Sequence, residues 1–138
     1  MIDVSTFIGL YNSKIKSKEN ITDEEKIGIV SSLIHPLKYI SFEKKKEFIK
    51  SLIKQLISKT DDGEYKYSSA DKYYSITTLL LDKYTDLSID ERSYDLLSMS
   101  GTLDYVIASF GREYEMCCGL LDMYMQDLEL HKLELEDL

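Results

Sequence analysis

Ser41-Phe42-Glu43-Lys44-Lys45-Lys46-Glu47-Phe48-Ile49-Lys50-Ser51-Leu52-Ile53-Lys54-Gln55-Leu56-Ile57 is the stretch that decides the fold. Phe42, Phe48, Ile49, Leu52, Ile53, Leu56 and Ile57 follow the period of a single helix face. Lys44, Lys45, Lys46, Lys50 and Lys54 occupy the opposite face, and Ser41 stands where an N-cap belongs. Such a stripe needs other helices to cover it, and the flanking sequence supplies them. Upstream, Val4, Phe7, Ile8, Tyr11 and Ile15 make one helix face. Thr22-Asp23-Glu24-Glu25 is a capping box that opens a second helix through Ile27, Val30, Leu33 and Ile34, which Pro36 stops. Tyr39 and Ile40 are expected to pack as a connector.

Downstream, Asp61-Asp62-Gly63 signals a turn, and Tyr65 and Tyr67 alternate with charge, so a short hairpin fits residues 60–68. A helix then runs from Ser68 or Ser69 to Tyr84 on Ala70, Tyr73, Tyr74, Thr77, Leu80 and Leu81. Asp90 caps a short helix that Gly101 ends. Thr102 caps another, which Gly111 is expected to end. The last runs from Arg112 towards His131 on Tyr114, Cys117, Cys118, Leu121, Tyr124, Met125 and Leu128. The sum is an all-α fold, a compact bundle of six to seven helices over residues 1–128, followed by an acidic C-terminal tail at 129–138.

Composition agrees. Hydrophobic residues make up 43% of the 138, enough for one core in a chain of one-domain length. One Pro and 6 Gly are too few for the turns of a small β-sandwich. No stretch reaches the length of a membrane span, and the N-terminus lacks the basic and apolar regions of a signal peptide. The expectation is a soluble, intracellular protein with no membrane partner. Charge is unevenly spread. Residues 1–60 carry 11 Lys against 7 acidic residues, or +4; residues 61–138 carry 6 Lys and Arg against 18 acidic residues, or −12. Such asymmetry speaks of partners rather than fold, and an overall −8 makes nucleic acid a poor partner.

Catalytic chemistry is hard to find. His35 sits before Pro36 at a helix end, and His131 lies in the acidic tail; neither has a nucleophile in a recognisable setting. There is no phosphate-cradling glycine loop and no zinc spacing. Asp61-Asp62-Gly63-Glu64 hints at calcium, but an EF-hand needs Glu six residues after the glycine, where Ser69 stands. Cys117 and Cys118 are neighbours whose side chains diverge, and they read as small core hydrophobes. Asp122 and Asp127 would need unusual burial to act as a glycosidase pair. No enzyme activity, cofactor or metal is expected.

Surfaces remain. The lysine face, Lys45, Lys46 and Lys50 among it, could meet an acidic protein, although Glu43 and Glu47 interrupt it. Tyr65 and Tyr67 have the large, stiff, half-polar side chains favoured at interfaces. Asp122, Asp127, Glu129, Glu134, Glu136 and Asp137, interspersed with Leu, give the C-terminus the pattern of an extended docking strand or a disordered peptide. These are the expected partner-binding residues.

Tyr84-Thr85-Asp86-Leu87-Ser88-Ile89-Asp90, then Tyr94-Asp95-Leu96-Leu97, Ser100-Gly101, Tyr105-Val106-Ile107 and Arg112-Glu113-Tyr114 follow one another in order. With Tyr39-Ile40-Ser41-Phe42, they make residues 39–128 resemble small proteins of bacteriophages and prophages of low-GC Gram-positive bacteria. The resemblance implies a phage origin and carries no catalytic motif. Where such proteins end in a polar tail with Asn, this chain ends in Leu and Glu. Three functions follow as expectations. One is a virion assembly or structural component (neck, connector or tail assembly), able to form a homo-oligomer. Another is an anti-defence inhibitor of the anti-CRISPR type, whose acidic surface blocks a host nucleic-acid-binding protein. A small DNA-binding regulator, with the lysine face outward, is the third. Either of the first two places the chain in the host-cell cytoplasm, with the virion as a further location.

Overall fold

The computed structural model describes Met1–Leu138 and is all-α: seven helices with four two-residue strands. The helices are α1 (Val4–Ile15), α2 (Asp23–Ile34), α3 (Phe42–Leu56), α4 (Ser69–Tyr84), α5 (Ser93–Met99), α6 (Leu103–Ala108) and α7 (Gly111–Glu129). The strands are β1 (Ile2–Asp3), β2 (Ser58–Lys59), β3 (Tyr65–Lys66) and β4 (Leu87–Ser88). A 3-10 turn at Leu135–Asp137 ends the chain. The residues divide into two compact units, Met1–Lys38 with Thr78–Arg112, and Tyr39–Thr77 with Glu113–Leu138.

The first unit is ordered by caps. Asp3 accepts the Thr6 N–H and the Thr6 hydroxyl, each at 2.8 Å, and so starts α1. The Thr6 N–H, more than the hydroxyl, holds the Asp3 carboxyl below the usual carboxylate range. Thr22 accepts the Glu25 N–H at 3.1 Å, as the capping box requires. The return arm differs, because the Glu25 carboxylate accepts a hydrogen bond from the Thr22 hydroxyl at 3.3 Å. His35 ends α2 in the left-handed region, at φ 47°. Val4, Phe7, Tyr11, Val30, Ile34 and Leu97 are buried, and Tyr84 stacks on Phe110 with centroids 5.1 Å apart.

Several expectations fail locally. Leu87–Ser88, for which no strand was expected, pairs in parallel with Ile2–Asp3. Thr102 does not cap α6 with its side chain; its hydroxyl lies 2.7 Å from the Ser100 hydroxyl and reaches back to the Leu97 carbonyl. Gly111 does not end α6. That helix stops at Ala108, where the Ser109 hydroxyl donates to the Val106 carbonyl, and Gly111 begins α7. Gly101 does end α5, at φ 75°.

In the second unit Ser41 caps α3 through the Lys44 N–H at 3.4 Å. The hairpin expected over residues 60–68 exists, with Ser58 opposite Lys66 and Lys59 opposite Tyr65. Gly63 supplies the turn at φ 82°, which an L side chain resists. Ile49, Leu52, Ile53, Ile57, Ile76, Cys117, Leu121, Met125 and Leu128 are buried. Tyr73 and Tyr74, expected on the covered face of α4, are exposed, as are Ala70 and Phe42. Tyr39 is exposed too, so only Ile40 of the connector is partly covered.

Candidate interaction surface

The lysine face of α3 is not the surface its sequence predicts. Helix period places Lys45 four residues before Ile49, and the fold buries both. The Lys45 ammonium lies 3.1 Å from each oxygen of Glu113, another buried side chain. The Ile40 N–H donates to the same Glu113 carboxylate at 2.9 Å, and the Tyr39 ring centroid lies 4.5 Å from the ammonium. Lys45 is therefore not available to a partner. Lys46 bridges Glu43 at 3.0 Å, and Lys50 lies over the Tyr124 ring at 5.7 Å. The remaining lysines cannot make the continuous basic surface that the string of lysines suggested.

The C-terminal residues do not dangle as a strand or a loose tail. α7 ends at Glu129, and the chain turns back through His131 at φ 56°. The Asp127 carbonyl accepts the Lys132 N–H at 2.9 Å, which fixes that turn. The Tyr65 hydroxyl donates to Glu134 at 3.2 Å and accepts the Leu135 N–H at 3.4 Å. Lys59 of the hairpin lies 3.5 Å from Glu136. Its own backbone N–H, then Lys59, lowers the Glu136 carboxyl. The Tyr67 hydroxyl donates to Glu129 at 3.2 Å; burial first, and then the Glu129 charge, push that phenol up. So the fold brings together Tyr65, Tyr67, Glu129, Glu134 and Glu136. Glu64, Tyr65, Glu129 and His131 line a shallow cavity of about 280 Å³ there. Asp137 sits in the 3-10 turn, its N–H donating to the Glu134 carbonyl.

On α7, Tyr114 and Thr77 of α4 share a hydrogen bond at 3.0 Å, and Asp122 bridges Lys72 at 3.0 Å. Falling numbers on α4 meet rising numbers on α7, so within this unit the two run antiparallel. Burial pushes the Tyr114 phenol up to about 12 and also raises the Cys118 thiol. The raised thiol suits an inert structural cysteine. No group of three His, Cys, Asp or Glu side chains is placed to hold a metal ion. No buried side-chain nitrogen or oxygen lacks a hydrogen-bond partner.

One surface escaped the sequence reading. Glu113, Cys117, Leu121, Met125 and Leu128 form the buried face of α7. On the opposite face Met116, Met123 and Leu130 are 49%, 63% and 53% exposed. Gly119 stands between the two methionines, and nothing lies within 4 Å of where its Cβ would be. The signal was the second apolar series, Met116-Met123-Leu130 at seven-residue steps, masked by the stronger series beside it. No helix of the chain is long and apolar enough to cross a membrane. Comparison with protein-family models, with curated proteins and with solved structures finds no match.

Proposed function

We propose that this chain is a non-enzymatic bacteriophage or prophage protein acting through protein–protein contacts, in virion assembly or structure as a neck, connector or tail-assembly component. The observation that carries this reading is the outer face of α7, where Met116, Met123 and Leu130 stand in solvent on an otherwise well-packed helix. Flexible, polarisable methionines on a rigid helix suit contact with another protein. The phage origin rests on the ordered phrases between Tyr84 and Tyr114. Duplex nucleic acid is a poor partner, because Lys45 is internal and Lys46 is bridged to Glu43.

The anti-defence alternative asks for carboxylates ranged along one face, as phosphates are along a duplex. The acids fall in both units, 11 in the first and 14 in the second, and Lys59 and Lys72 already meet Glu136 and Asp122. Those two pairings weigh against a row of free carboxylates and so favour the assembly reading. The test is recovery of the tagged chain after prophage induction in a low-GC Gram-positive host. Co-sedimentation with virions or assembly intermediates is expected. Recovery with a host nuclease, and none with particles, would overturn the assembly role in favour of the inhibitor.

A further inference from the structure

We propose that the outer face of α7 seats an amphipathic helix of a partner protein, basic along the edge that meets Glu115, Asp122 and Glu129. The proposal rests on the reading of the chain as a protein that works by contact, and it names the kind of partner.

The stripe from Met116 to Leu130 covers 14 residues of rise, about 21 Å at 1.5 Å per residue, or about four helical turns. The Leu130 N–H still donates to the Gln126 carbonyl at 2.9 Å, so the helical path reaches the end of the stripe. A partner helix of similar length would bury the whole of it. Gly119 lies at its middle. A glycine inside a helix weakens it relative to alanine. No neighbour in this chain occupies the space a Cβ would fill, so internal packing does not demand the glycine. Gly9 and Gly28 are equally open, but only Gly119 lies between exposed apolar side chains, where it leaves a hole for a side chain of an approaching helix.

Charge decides what kind of helix fits. Glu115, Asp122 and Glu129 recur every seven residues and are all exposed, so they form a column beside the stripe. Asp122 is bridged to Lys72, whereas Glu129 accepts from the neutral Tyr67 hydroxyl and meets no cation there. The column remains acidic and matches lysines or arginines at the edge of an apolar stripe. A second copy fits less well, because in an antiparallel two-fold pair of α7 helices the column of one copy faces that of the other.

The probe is a fluorescent 18-residue Leu/Lys peptide with its leucines on one helical face, read by anisotropy; a shuffled peptide of the same composition is the control. The ordered peptide is expected to bind at least tenfold more tightly than the shuffled one. Gly119→Leu, which fills the hole, is expected to weaken it tenfold or more. Met123→Gln, at a well-exposed site, makes the same test should Gly119→Leu fail to fold. Glu115→Gln with Glu129→Gln is expected to weaken binding several-fold and flatten its salt dependence. Equal binding of both peptides, or unchanged binding by the Gly119 and Met123 variants, would overturn the proposal. So would a dimer of the chain itself that Gly119→Leu dissociates. If Met123→Gln still co-sediments with phage particles as the unaltered chain does, the seat on α7 is wrong while the assembly reading stands.

Discussion

Lys45 and Glu113 show how far a single residue can depart from its type. Each occupies the position four residues before a buried apolar ladder, Lys45 before Ile49 and Glu113 before Cys117. The period that identified the stripe also points both side chains inward. What hid the pair was residue identity, since Lys and Glu are rarely buried unless paired. Removing one partner leaves an uncompensated internal charge. Lys45→Met or Glu113→Leu alone is therefore expected to cost about 3–5 kcal/mol in urea unfolding, whereas the two together return close to the original stability. An additive double variant would mean the two charges do not act as a pair. Tyr114 gives a prediction in pH. Its phenol ordinarily ionises near 10.0 and is pushed up to about 12 in the fold, so the unfolded chain loses that proton first. Its contribution is fully present below pH 10 and is lost between pH 10 and about 12. Tyr114→Phe is expected to lose less stability across that window, as followed by circular dichroism.

At the scale of elements, apolar period and caps located the helices well. Thr22, Ser41 and Gly101 act at the ends they were expected to mark, and Asp61-Asp62-Gly63 makes the hairpin turn. Thr22→Ala is expected to cost about 1 kcal/mol through the lost cap, measured by thermal unfolding. The elements that escaped were those set by distant neighbours. The pairing of Ile2 with Leu87 joins two-residue segments far apart in sequence, too short to show alternation. Thr102 looks like a cap by type, but the Ser100 hydroxyl and the Leu97 carbonyl compete for its hydroxyl and win. The C-terminal Leu/Glu run reads as a strand or a loose peptide because nothing local reveals that Tyr65 and Lys59 hold it. Tyr65→Phe removes the hydroxyl that links Glu134 to Leu135. It is expected to speed proteolytic trimming after Glu129 several-fold, with a stability cost of only about 1 kcal/mol. Unchanged trimming would show that the hydroxyl does not hold this segment.

At the scale of the whole molecule, the charge contrast between the halves of the sequence largely disappears. The first unit holds 8 Lys and Arg against 11 acids, or −3, and the second holds 9 against 14, or −5. Each unit draws on both halves of the chain, so the basic α3 and the hairpin lysine are grouped with the acidic C-terminal third. Much of what looked like a surface waiting for a partner is used internally: Lys45 with Glu113, Lys59 with Glu136, Lys72 with Asp122. The surface proposed for a partner is the outer stripe of α7, with Glu115 and Glu129 exposed along its edge. Methionine oxidation by dilute peroxide tests that claim most directly, because the chain carries its own controls. In the free protein Met99, Met116 and Met123 are 84%, 49% and 63% exposed and should oxidise quickly, while Met125, at 3%, should lag. In particle-bound protein, Met116 and Met123 are expected to become protected while Met99 stays reactive. Bound protein in which Met116 and Met123 oxidise as fast as in the free chain would contradict the account.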